Sequence, residues 1–121
     1  MKKKIVVTGA SRGIGKAIAL YFGAQGFDVA ICARDIQKLD AVAAEIRAMG
    51  AQVICAACDV TNQQQILQFA ADVQKQWGAI DVLVNNAGQY LPGRVIDEPQ
   101  GNLEQLIETN LYSAYYFSRA F

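Results

Sequence analysis

The chain has 121 residues, enough for one domain at most, and its 53% apolar against 18% charged composition suits a buried core and excludes a disordered chain. Eleven basic residues balance eleven acidic ones, so the composition offers no electrostatic case for nucleic acid or an anionic membrane as partner. No apolar stretch is long enough to span a bilayer, and the apolar run after Lys2-Lys3-Lys4 stops at Thr8 and Gly9, too soon for a signal peptide, so the cytoplasm is the expected location.

Apolar runs rich in β-branched residues at 4–8, 28–33, 51–57 and 80–85 read as strands, and longer helical patterns separate them. Such alternation implies right-handed βαβ crossovers and a parallel sheet covered on both faces. The first helix is expected from about Gly13 to Gln25, with Ile14, Ala17, Ile18, Tyr21 and Phe22 at helical spacing before Gly26. The second runs from Asp35 to Met49 and carries Ile36, Leu39, Val42, Ala43 and Ile46. The third is expected to open on Thr61 as N-cap and to continue through Ile66, Leu67, Phe69, Ala70 and Val73 to Trp77. A last helix from about Asn102 is expected to bury Leu103, Leu106, Ile107, Leu111, Ala114, Phe117 and Phe121. Before it, residues 89–101 hold both prolines and form the one long loop.

The stretch Thr8 to Gly15, TGASRGIG, sits between the first strand and the first helix. Its glycines let main chain approach a ligand closely, and the first turn of the helix offers unpaired N–H groups and a positive dipole end. This is a seat for a phosphate. The spacing Gly9-x-x-x-Gly13-x-Gly15 is neither G-x-G-x-x-G nor a P-loop, since Ala17 follows Lys16. At the end of the second strand, where NAD-selective folds place an acidic residue on the ribose 2′-OH, stand Ala33 and Arg34. The guanidinium of Arg34 is a forked partner for a 2′-phosphate, and Arg12 can close on it from the other side. NADP(H) is therefore favoured over NAD(H). Asp35 argues the other way, but at the head of a helix it reads as an N-cap.

Cys32, Cys55 and Cys58 include a C-x-x-C spacing. On a strand, a separation of three sends Cys55 and Cys58 to opposite faces, where they can neither bridge nor share a metal, and no metal site is expected.

TGASRGIG, Asp59-Val60, Asn85-Asn86-Ala87-Gly88 after Ile80 to Val84, and Asn110 occur in that order, and together they resemble the short-chain dehydrogenase/reductase family along the whole chain. The resemblance implies a Rossmann-like doubly wound parallel sheet, of which this chain holds the first half: four strands in the order 3-2-1-4 with flanking helices. Residues 1–121 are then an NAD(P)-binding domain that stops before the catalytic half. It also implies that Gly9, Ser11, Arg12, Gly13, Ile14 and Gly15 hold the pyrophosphate side of the cofactor. By the same resemblance Asp59 and Val60 flank the adenine, Ala87 and Gly88 keep the floor flat for the ribose while Asn86 in the same cofactor-binding segment ties neighbouring strands and backbone together, and Asn110 belongs to a proton relay through a water held where its helix opens. The implied reaction is hydride transfer between nicotinamide and a small carbonyl or alcohol substrate. The family's acid/base Tyr-x-x-x-Lys occurs nowhere in this sequence; Tyr90 to Arg94 and Tyr115 to Arg119 have the interval but end in arginine.

The similarity is to the branch containing 3-oxoacyl-carrier-protein reductases, which implies a homo-oligomer for the full-length form. A half-fold would also leave the fourth strand as an apolar edge and deprive Leu106, Leu111, Ala114 and Phe117 of part of their packing. A non-catalytic nucleotide-binding or interaction module built on the same half-fold is the alternative reading.

Overall fold

Strand and helix alternate as β1 (Lys4–Thr8), α1 (Gly13–Ala24), β2 (Asp28–Ala33), α2 (Ile36–Ala48), β3 (Val53–Ala57), α3 (Gln63–Trp77) and β4 (Val82–Val84). The strands form one parallel sheet in the order β3-β2-β1-β4 in this computed structural model, which describes residues 2–121. Two further helices, α4 (Asn102–Ile107) and α5 (Ser113–Ala120), are joined through a π-helical turn at Glu108–Tyr112. The expected order and the first two strands are found as read. The expected third and fourth strands are shorter, because their outer residues lie beyond the reach of a neighbouring strand's register.

Side chains of a strand alternate between faces, and each face here has its own core. Ile5, Val7, Val29 and Ile31 pack with Leu39, Val42, Ala43 and Ile46 of α2 on one side. Val6, Ala30, Cys32 and Ile54 pack with Ile66, Phe69 and Val73 of α3 and Phe117 of α5 on the other. Each fully buried large side chain contributes roughly 1.5–3 kcal/mol. Cys55 and Cys58 fall on opposite faces, as the spacing predicted. Cys32 lies on the same face as Cys58, a neighbourhood the sequence did not announce. Hydrogen bonding to Cys58, reinforced by burial, pushes the Cys32 thiol well up, and all three cysteines are unbridged.

Of the α1 residues at helical spacing, Ile18 and Phe22 pack partly buried against the core, while Ile14 and Tyr21 are exposed. Gly15, Ala19 and Gly23 are the buried residues of the helix, and a Cβ on Gly23 would lie 2.8 Å from Ile46 Cγ2, so α1 passes close to α2 there. Two expectations fail. In α3 the N-cap is Asn62, whose side chain accepts from the Gln65 N–H at 3.1 Å, while Thr61 turns its hydroxyl to Asp59. The last helix is not one continuous buried rod. Leu103 and Leu111 are exposed, yet Phe117 is 1% exposed, stacked parallel to Phe121 and edge-on to Phe69. The π-helical turn changes the rotation between α4 and α5, so a single 3.6-residue stripe cannot run through both.

β4 is hydrogen-bonded to β1 alone, and its three residues are half-buried. Among the described residues no helix is long and apolar enough to cross a membrane.

Candidate functional site

All four strands point their carboxyl ends toward one edge of the sheet, and a crevice of about 930 Å³ opens there. Open α/β sheets bind ligands at this edge, where strand order reverses, and the reversal here lies between β1 and β4. Following the strand order, Asp59 and Val60 come after β3 and Arg34 after β2. Gly9 to Ile14 follow β1, and Asn86 to Gln89 follow β4. Of the residues singled out in the sequence, Gly9, Ser11, Arg12, Gly13, Ile14, Arg34, Asp59, Val60, Asn86, Ala87 and Gly88 line the crevice. Gly15 and Asn110 are not in the lining: Gly15 is buried and Asn110 is exposed.

Gly15 is buried under the turn. A Cβ there would collide with the Gly9 carbonyl and with Asn86 Nδ2, so α1 can seat on the turn only through glycine. Gly9 has φ 64°, in the left-handed region, and its N–H donates to the Cys32 carbonyl at 2.9 Å. The main-chain amides of Gly13, Ile14 and Gly15 have no acceptor among the described residues, and Arg12 at the N-cap makes no side-chain cap. In α2 and α3, by contrast, Asp35 and Asn62 each cap an amide with a side-chain oxygen. The start of α1 is thus left open to an anion.

Thr8 is the residue the sequence reading passed over. Its side chain, in a residue 1% exposed, accepts from the Asn86 and Ala87 N–H groups at 3.0 and 2.9 Å. Asn86 Nδ2 in turn donates to the carbonyls of Thr8 and Gly9 at 3.2 and 3.1 Å. The glycine turn and the segment after β4 are therefore one hydrogen-bonded unit. Thr8→Val would strand two main-chain donors, each costing about 1–3 kcal/mol, and is expected to lower stability by about 2–4 kcal/mol in urea unfolding, with Thr8→Ser near wild type. A Thr8→Val protein unfolding at the wild-type midpoint would show that the hydroxyl is dispensable.

Asp59 accepts from both the N–H and the hydroxyl of Thr61, at 2.9 and 2.7 Å. Those two bonds hold its carboxyl below the usual range, with a smaller contribution from Arg34, so it is an anion at neutral pH. Asn110 sits within the π-helical turn and brackets one residue: the Gln89 N–H donates to Asn110 Oδ1 at 2.7 Å, and Asn110 Nδ2 donates to the Gln89 carbonyl at 2.9 Å. A Cβ on Gly88 would lie 3.1 Å from the same Oδ1, so a side chain there would crowd the bracket. Among the described residues no cluster of three metal-ligating side chains occurs.

The sheet order, the glycine turn and the crevice define a Rossmann-like dinucleotide-binding α/β protein. The family model described as short chain dehydrogenase matches residues 3–121, and the chain belongs to that family. It is 35% identical over 116 residues to a 3-oxoacyl-[acyl-carrier-protein] reductase of Staphylococcus epidermidis, covering 95% of this chain and 48% of that protein. Among solved structures, the alcohol dehydrogenase of the archaeon Thermococcus sibiricus, complexed with 5-hydroxy-NADP, superposes with a TM-score of 0.96 at 33% identity. That match covers 100% of this chain and 52% of that one. A metagenomic short-chain oxidoreductase in complex with NADP gives a TM-score of 0.92 at 43% identity, over 98% of this chain and 54% of that one. The chain thus spans about half the length of the relatives it matches.

Proposed function

We propose that residues 1–121 are the cofactor-binding domain of an NADP(H)-dependent short-chain oxidoreductase acting on a small carbonyl or alcohol substrate. One observation carries the reading: the uncapped amides at the start of α1 belong to a turn whose Gly13 and Ile14 line a crevice that also holds Arg12 and Arg34. The donor set fits a dinucleotide phosphate, because the turn is closed to side chains by Gly9 and Gly15 and open to solvent at Gly13, where an added Cβ would meet nothing within 4 Å. When bound, the nicotinamide supplies a hydride at its C4.

In this reading the α1 amides and Ser11 hold the pyrophosphate. Arg34 and Arg12 grip the 2′-phosphate from two sides, through charge-assisted bonds. Asp59 accepts from the adenine amine and Val60 backs the ring, while Ala87 and Gly88 floor the ribose and Asn86 ties that floor to the glycine turn. Asn110 is assigned to the proton relay, and the π-helical turn around it supports the assignment, since such a turn widens the helix at that residue. Small carbonyl substrates, homo-oligomer formation and a cytoplasmic location belong to the same proposal. The exposed Leu111, Tyr112 and Tyr115 support the association, and three unbridged cysteines support a reducing compartment.

The lack of any Tyr-x-x-x-Lys favours a second reading for these 121 residues alone, a nucleotide-binding module without turnover. A phenol of pKa ~10 needs a cation beside it to exchange protons at neutral pH, and the pair of that kind seen among the described residues, Tyr115 with Arg119 Nη1 2.9 Å from its hydroxyl, does not line the crevice. Thermal unfolding tests the binding reading. NADPH at a hundred times its Kd is expected to add about 2.7 kcal/mol, a rise of roughly 10 °C in Tm, with a smaller rise for NADH at the same concentration. No shift with either dinucleotide overturns it, and carbonyl reduction by the 121-residue protein would exclude the module.

A further inference from the structure

We propose that Lys38 is a third cationic contact for the 2′-phosphate of the dinucleotide and a determinant of cofactor choice. The proposal rests on the reading that NADP(H) occupies the crevice. Lys38 lines that crevice together with Arg12, Arg34 and Asp35. It stands in the first turn of α2, three residues after the N-cap Asp35. A cation there opposes the positive end of the helix dipole, and α2 has no acidic residue in that turn to offset it. Lys16, in contrast, is paired with Glu45 at 3.7 Å. Among the described residues Arg12, Arg34 and Lys38 are in no ion pair.

The carboxylates at this end are already engaged. Asp35 accepts from the Lys38 main-chain N–H at 3.1 Å, and Asp59 accepts twice from Thr61. Arg12 and Arg34 alone would be outnumbered by Asp35, Asp59 and Glu108, the carboxylates of the crevice lining, leaving no net positive charge for a phosphate monoester of nearly two negative charges. Lys38 brings the cations level with the carboxylates and puts a third one beside Arg12 and Arg34. An anion held between Arg34 and Lys38 would also relieve the unfavourable placement of the lysine at a helix N-terminus.

The test compares 2′,5′-ADP with 5′-AMP, which differ only in the 2′-phosphate, by calorimetric titration of the 121-residue protein, Lys38→Met and Lys38→Arg. Wild type is expected to bind 2′,5′-ADP at least about 30-fold more tightly than 5′-AMP, as charge-assisted bonds to a phosphate imply. Lys38→Met is expected to reduce that ratio about fivefold through 2′,5′-ADP alone, and Lys38→Arg to retain most of it. A wild-type ratio near one overturns the NADP(H) reading and this proposal with it. A wild-type preference that Lys38→Met leaves intact overturns the role of Lys38 only. An equal loss for both ligands overturns it too, because it marks a general or structural effect.

Discussion

Gly15→Ala is expected to abolish measurable dinucleotide binding and to lower stability by about 3 kcal/mol. The added methyl meets the Gly9 carbonyl oxygen, the Gly9 carbonyl carbon at 2.9 Å and Asn86 Nδ2. Neither neighbour can give way easily. Gly9 is fixed by its N–H bond to the Cys32 carbonyl, and the Asn86 amide is spent on the carbonyls of Thr8 and Gly9. The methyl must therefore lever α1 off the turn, and overpacking of this kind costs about 1–3 kcal/mol or more. Lifting α1 also moves the open amides of its first turn away from the crevice, so binding and stability fall together. Gly13→Ala is the contrast: its methyl points into open space, and at φ 59° it costs only the left-handed strain, roughly 1–2 kcal/mol. Urea unfolding of the two variants gives the comparison. A Gly15→Ala protein with the wild-type midpoint would mean that α1 is not seated on the Gly9 carbonyl.

Arg34→Asp is expected to reverse cofactor preference, weakening NADPH about 100-fold while changing NADH by no more than about threefold. A hydrogen bond to a charged group is worth about 1.5–3 kcal/mol, and a carboxylate at the same place adds repulsion of the 2′-phosphate. Together these amount to about 3 kcal/mol, which is the stated ratio. The substitution leaves the core untouched, since Arg34 is exposed after the end of β2 and in no ion pair among the described residues. Fluorescence titration with both dinucleotides measures it. An unchanged NADPH to NADH ratio would remove Arg34 from the site.

The two substitutions bear on parts of the molecule that differ in how plainly they could be read in advance. Arg34 was visible because it follows a β-branched run and precedes a helical stripe, a position whose chemistry is set locally by the end of a strand. The reason Gly15 must be glycine was not visible. It depends on Gly9 and Asn86, and Asn86 lies 71 residues further along the chain. Thr8 was overlooked for the same cause: a threonine at the end of a strand looks like ordinary β-former until the segment after β4 is laid against it. Ile14, Tyr21 and Leu67 stand at helical spacing in the sequence and are exposed in the structure. Spacing reports which residues share a stripe, but not how closely the partner surface approaches. Where α1 nears the sheet and α2, Gly15, Ala19 and Gly23 do the packing.

Asn110 shows the same division. Its place in the motif order marked it, yet its observed partners are the main-chain groups of Gln89, and it is not among the residues lining the crevice. The thiol contact between Cys32 and Cys58 likewise exists only because β2 and β3 are neighbours in the sheet.

The amino-acid order by itself determined the alternation of strand and helix, the parallel sheet and its family, because periodicity and the chemistry of turns act over a few residues at a time. The tertiary structure alone decided which glycine bears a close approach, which threonine joins the two loops, and that Lys38 shares a crevice with Arg12 and Arg34. Those relations hold between segments brought together by β1 pairing with both β2 and β4, and a pairing across so much chain leaves no local trace in the sequence.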